Sequence, residues 1–152
     1  LGQPIVVDNR PGAGGSVAAA AVARAEADGS TFMMNSLATH GIDYDGSIIS
    51  PNKSLPGMED PLRFWVPSIS PCGLCFYTGD KFPGWKGSLF TGALSSPALH
   101  RIELEGETYR GEELLLEGRL PYIRDIRQGP DGLLYVLTDQ KAGAVLKIEP
   151  AN

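Results

Sequence analysis

From Cys72 to the end of the chain, apolar residues recur at every second position in short runs broken by turn-forming residues, the pattern of strands half covered by a neighbour. In the last run Ala144, Leu146 and Ile148 share one face while Val145, Lys147 and Glu149 share the other. Strands are predicted at Cys72 to Thr78, Ser88 to Leu94, Ala98 to Glu105, Thr108 to Leu116, Ile123 to Arg127, Leu133 to Thr138 and Ala144 to Ile148. Gly79 to Gly87, Ser95 to Pro97, Gly106-Glu107 and Gly129-Pro130-Asp131-Gly132 supply turns.

The first 36 residues follow a different rule. Ile5 to Val7 is a β-branched run, residues 9–15 form a glycine-rich loop, and Ser16 can cap an alanine-rich helix that reaches about Ala27. Asp28-Gly29 stops that helix and Thr31 to Met34 resumes an extended apolar run, giving one β-α-β unit. The helix carries only Arg24 and Glu26 as charges, so most of its circumference needs cover and the unit is not a domain by itself. Residues 40–62 read as connection, punctuated by Asp45-Gly46, Ser50-Pro51, Leu55-Pro56-Gly57 and Asp60-Pro61.

Four successive antiparallel strands make one propeller blade, and the remaining three make a second that lacks a strand. The predicted fold is therefore mainly β, a partial β-propeller of about two blades over residues 39–152, preceded by a short β-α-β segment over residues 1–38. Two blades cannot close a ring or cover each other's outer faces, so exposed apolar surface and self-association through open sheet edges are expected.

Composition narrows the function. The chain has 152 residues, is 42% hydrophobic and 20% charged, and has no apolar run long enough to cross a bilayer as a helix. The net charge of −5 comes with dispersed basic residues, which argues against a nucleic-acid partner. The frequent Gly (19) and Pro (12) suit short strands and tight turns. The chain opens on Leu1 without a basic stretch leading into an apolar one, so an export signal is expected to be missing or removed.

Cys72 and Cys75 have a C-x-x-C spacing, but the segment reads as a strand, where residues three apart point to opposite faces, and a zinc site would need two further ligands. Two small buried thiols are expected. His100, in phase with Ile102 and Leu104, is expected to be a packing residue. Asp43-x-Asp45-Gly46-Ser47 is not an EF-hand, because the twelfth position is Ser54. No metal ligands and no catalytic residues are assigned; Asp125, Arg127 and Asp139 read as turn and blade-edge residues.

Two resemblances follow from ordered motifs. Gly2 to Gly15, ending in Asn-Arg-Pro-Gly-Ala-Gly-Gly, with Val22-Ala23 and Asp28-Gly29, resembles the tripartite tricarboxylate transporter receptors, extracytoplasmic solute-binding proteins. There the loop lies beside a cleft for carboxylates. Gly12, Gly14, Gly15 and Ser16 suit an anion, since glycines admit backbone N–H groups and a helix N-terminus follows. A nucleotide P-loop is excluded by the missing Gly-Lys-Ser/Thr.

From about Thr39 the chain is similar to the soluble aldose sugar dehydrogenases, or glucose/sorbosone dehydrogenases, six-bladed propellers that use pyrroloquinoline quinone (PQQ) and calcium. Gly41 to Gly46, Pro56 to Glu59, Trp65 to Pro71, Phe76 to Asp80, Phe82 to Trp85, Gly92 to Leu94, Ile123 to Gly132 and Leu137 to Asp139 carry that similarity. It implies an aldose substrate oxidised at its C1 hydroxyl, a cofactor contact from Arg124, and Trp65 near the cofactor or packed between blades.

Tyr122 stands where the family often has a second arginine, and Ser95 near where some relatives have lysine. The family's catalytic histidine and calcium ligands belong to earlier blades, so the chain is expected to be catalytically incomplete. His40, at the seam, has no assigned role. Three functions remain open: a sugar dehydrogenase portion, a dicarboxylate-binding segment, or a non-enzymatic chimera. Both families are exported, which implies a periplasmic location.

Overall fold

The computed structural model describes residues 61–151 except Glu107, together with Asp8, Ala21, Arg24, Ser47 and Ile48. The chain divides into two compact units, Leu1–Ser68 and Ile69–Asn152. Ala21 is helical and accepts the Arg24 N–H at 3.3 Å, two points within the expected 16–27 helix. Apart from Asp8, the rest of the expected β-α-β segment, the loop with Gly12, Gly14, Gly15 and Ser16, and His40 lie outside the described residues.

The second unit has seven strands: β1 (Pro71–Phe76), β2 (Leu89–Ala93), β3 (Leu99–Glu105), β4 (Thr108–Leu115), β5 (Ile123–Gln128), β6 (Leu134–Thr138) and β7 (Val145–Ile148). They form two antiparallel meanders, a four-stranded sheet in the order β1-β2-β3-β4 and a three-stranded sheet in the order β5-β6-β7. This is the predicted mainly β architecture, one full propeller blade and one with three strands. β1 ends two residues before its predicted end, because the Thr78 N–H donates to the Gln128 side chain at 2.7 Å rather than continuing the ladder.

The core lies between the sheets. Tyr77, Phe90 and Leu99 of the first pack against Ile123, Ile126, Leu134 and Val136 of the second, all fully buried. Burying side chains of this size contributes about 1.5–3 kcal/mol each. The sheets meet closely enough that two glycines are required. A Cβ at Gly92 would lie 2.3 Å from Ile123 Cγ2, and one at Gly73 would lie 2.6 Å from Asp125 Oδ1 and 2.8 Å from the Ile126 nitrogen.

Two irregularities re-aim side chains. In β1, Cys72 pairs with Gly92 and Cys75 with Phe90, so three steps along β1 face two along β2, with Gly73 at φ 68°. The extra residue puts Cys72 and Cys75 opposite residues of a single face of β2, which corrects the expectation of opposite faces. Both thiols are free and half-buried rather than fully buried. In β5, Ile123 pairs with Thr138 and Asp125 with Leu137, which leaves Arg124 as the inserted residue of a second bulge.

The first sheet is stitched by charge. Arg101, buried on β3, donates to Glu113 at 2.7 Å, to Ser88 Oγ at 3.1 Å and to the Gly84 carbonyl at 3.3 Å, and it pairs with Glu103. His100 is 3% exposed and its Nδ1 lies 2.6 Å from Glu112, as suits a histidine built into packing. On the second sheet, Leu137 and Val145 are cross-strand partners, exposed by 41% and 68%.

Candidate functional site

A bulge gives one strand an extra residue that the ladder does not constrain, so its side chain can leave the regular alternation. Arg124 occupies that position on β5. Its Nη2 donates to Asp139 Oδ2 at 2.8 Å, and its Nη1 approaches Cys72 Sγ of β1 at 4.0 Å. The guanidinium therefore joins the first strands of both sheets to the loop that follows β6.

Asp139 is set by its own backbone, whose N–H donates to the Tyr122 carbonyl at 2.7 Å just before β5. The side chains of Arg124 and Asp139 are 50% and 42% exposed. Their hydrogen bond holds the Arg124 pKa above its ordinary value. A guanidinium carries five N–H donors, and a single short bond to Asp139 leaves it able to bind an anion in addition.

Trp65 belongs to the other compact unit, Leu1–Ser68, whereas Arg124 belongs to Ile69–Asn152. Trp65 is half-buried, with the Arg63 guanidinium 5.2 Å from its ring centroid, a cation–π contact. Tyr122 is exposed and supplies no second cation beside Arg124. Ser95 is exposed in the turn between β2 and β3, its N–H bonded to the Ile69 carbonyl at 3.1 Å.

Asp125 and Arg127 lie within β5 itself rather than in a turn. Asp125 Oδ2 accepts from Arg127 at 3.1 Å and Oδ1 accepts the Ile126 N–H at 2.9 Å. Asp139, read from sequence as a turn or blade-edge residue, lies in the loop after β6 and is also the partner of Arg124. The signal that could have exposed the bulge is the pair Ile123 and Ile126: both are fully buried although three apart, a spacing that a regular strand cannot place on one face.

The site offers a fixed cation that, among the described residues, is flanked by the Asp139 carboxylate and the Cys72 thiol, with no imidazole beside it. His100 of β3 is held against Glu112 of β4. Burial pushes the Cys75 thiol pKa up, which disfavours its thiolate. Among the described residues no group of three or more His, Cys, Asp or Glu could hold a metal ion, and no helix is long and apolar enough to cross a membrane. A cleft of about 510 Å³ lined by Lys81, Gln128, Gly129 and Asp131 lies at the far end of β5 from Arg124.

Known proteins resemble the chain in two separate parts. Residues 1–45 match the tripartite tricarboxylate transporter family receptor model. Aldose sugar dehydrogenase YliI of Escherichia coli is 42% identical over 118 residues, which cover 76% of this chain and 32% of that protein. A crystal structure of a glucose dehydrogenase superposes with a TM-score of 0.69 at 45% identity, over 76% of this chain and 34% of that one. The PQQ-bound form of an aldose sugar dehydrogenase from Streptomyces coelicolor shares the fold, with a TM-score of 0.50 at 23% identity over 62% of this chain and 29% of that one. The chain thus spans about a third of the length of these relatives. Residues 36–147, which contain both sheets as far as Lys147, match the glucose/sorbosone dehydrogenase model, and the chain belongs to that family.

Proposed function

We propose that residues 39–152 are C-terminal propeller blades of a PQQ-dependent aldose sugar dehydrogenase, in which Arg124 binds a carboxylate of the quinone. The observation that carries this reading is the half-exposed guanidinium of Arg124, lifted out of the β5 alternation by a bulge and left with donors to spare. PQQ is a flat tricarboxylate, and one guanidinium fits one of its carboxylates. Trp65, the second cofactor contact that the resemblance implies, belongs to the other unit. When bound, the quinone supplies a two-electron acceptor for oxidation of an aldose C1 hydroxyl; Arg124 supplies orientation and charge.

This polypeptide alone is expected not to turn over sugar. A general base must reach the sugar hydroxyl, and the described imidazole, His100, is committed to Glu112. The calcium of the wider family finds no ligand cluster among the described residues. The test mixes the chain with PQQ, calcium, glucose and a dye acceptor. No dye reduction is expected, and reduction above the cofactor-only control would overturn the incompleteness.

The receptor match over residues 1–45 favours a second reading, in which the backbone around Gly12, Gly14, Gly15 and Ser16 binds a dicarboxylate. Calorimetric titration with citrate tests it, and silence at millimolar ligand removes it. The two unrelated families in one chain support a composite polypeptide with its seam near residue 38. Their shared export supports a periplasmic location. The exposed pair Leu137 and Val145 supports self-association, which a light-scattering mass equal to one chain at high concentration would refute.

A further inference from the structure

We infer that Asp139 is a positioning residue that fixes the direction in which Arg124 presents its remaining donors. The inference rests on the cofactor reading of Arg124 and adds a residue to it. A residue at a bulge gains freedom, since the ladder no longer dictates where its side chain points. Arg124 has that freedom and a long side chain, so an unheld guanidinium would sample several rotamers and lose entropy on meeting an anion.

Asp139 removes that freedom from a rigid base. Its main chain is tied to the Tyr122 carbonyl at 2.7 Å, immediately before β5, and it follows Thr138, which is paired with Ile123. Its Oδ2 takes one Nη2 proton at 2.8 Å, and the opposite edge, Nη1, rests against Cys72 Sγ at 4.0 Å. The plane of the guanidinium is thereby set between two strands and a loop.

A carboxylate beside a cation could instead act as a competing counter-ion that weakens anion binding. Both side chains are about half exposed, so water and salt screen the charge, while the direct hydrogen bond still fixes orientation. Positioning therefore outweighs neutralisation. The two roles predict opposite signs for removal of the Asp139 carboxylate, which makes the question decidable.

The experiment has two arms on the full 152-residue chain. Without cofactor, side-chain NMR of Arg124 reports rotation about the Cζ–Nε bond. Slow rotation is expected in the parent, faster averaged rotation in Asp139→Ala, and an intermediate rate in Asp139→Asn, which keeps an acceptor oxygen. Unchanged Arg124 signals in Asp139→Ala would overturn the inference whatever the cofactor does.

In the second arm PQQ is titrated against each chain by fluorescence quenching. Asp139→Ala should weaken binding by about three- to tenfold despite the gain in net positive charge, with partial recovery in Asp139→Asn, and Arg124→Gln should weaken it by about tenfold or more. Equal or tighter binding by Asp139→Ala, with loss in Arg124→Gln, overturns positioning and keeps the cofactor reading. A parent that does not bind PQQ, or an Arg124→Gln chain that binds as the parent does, overturns the cofactor reading and leaves the orientation of Arg124 to be judged by the first arm.

Discussion

The Tyr77 hydroxyl donates to the Gly132 carbonyl at 2.8 Å and accepts the Phe82 N–H at 3.0 Å, so one fully buried phenol joins the end of the first strand of one sheet to the turn of the other. Gln128 repeats the connection from the opposite side, accepting the N–H groups of Thr78 and Gly79 at 2.7 and 3.2 Å. The two sheets are therefore held by directional bonds as well as by their shared core.

Tyr77→Phe keeps the ring and its edge-on contacts with Phe82 and Phe90 but leaves a carbonyl and an N–H without their partner. A loss of about 1–3 kcal/mol is expected from those two groups. The urea midpoint should fall with an unchanged slope, while Tyr122→Phe, at an exposed position, should leave it within error.

Gly92→Ala drives a methyl group into Ile123, whose Cγ2 and Cβ would lie at 2.3 and 2.7 Å from it. Overpacking of this kind costs about 1–3 kcal/mol and here separates the sheets. Combining it with Ile123→Ala, which vacates the space, should cost less than the sum of the single changes in a double-mutant cycle.

Asp131 Oδ2 accepts the Tyr135 hydroxyl at 2.7 Å and Oδ1 accepts the Leu133 N–H at 3.1 Å. Their shared bond is the main cause that lowers the Asp131 pKa from its ordinary value and raises that of Tyr135 above 10.0. The carboxylate contribution is present above the ordinary Asp range and lost as pH falls through the lowered folded value. The phenol contribution is present below pH 10.0 and lost as pH rises through the raised one. Tyr135→Phe should flatten both flanks of the melting temperature plotted against pH; a profile that superposes on that of the parent contradicts the coupling.

Burial raises the Cys75 thiol pKa, and Cys75 packs against the core cluster, whereas Cys72 meets the half-exposed Arg124. Since the thiolate is the reacting form, iodoacetamide near neutral pH should label Cys72 well before Cys75 by peptide mass spectrometry. Equal rates would show that the β1 bulge opens more readily than its packing implies.

From Cys72 onward the strands were legible because short apolar runs, alternating with period two in the last of them, lie between turn residues, and each strand predicted there has its counterpart within two residues at either end. The bulges were not, since an inserted residue is invisible to a reading that counts strict alternation, although Ile123 and Ile126 carried the trace of one. Arg124 could be picked out by resemblance; Asp139 could not, because their bond depends on the bulge and on the Tyr122 tether. Trp65 remains an aromatic stacked with Arg63 in its own unit.

At Gly73 the first strand of one sheet meets the backbone of the next with no room for even a methyl group. The spacing of the adjoining sheets is consequently set at two bare positions, Gly73 against the backbone and side chain of β5 and Gly92 against the Ile123 side chain. In a circular array the angle per sector dictates how many sectors complete the turn, so these two glycines together constrain the rotational order of any ring assembled from such units.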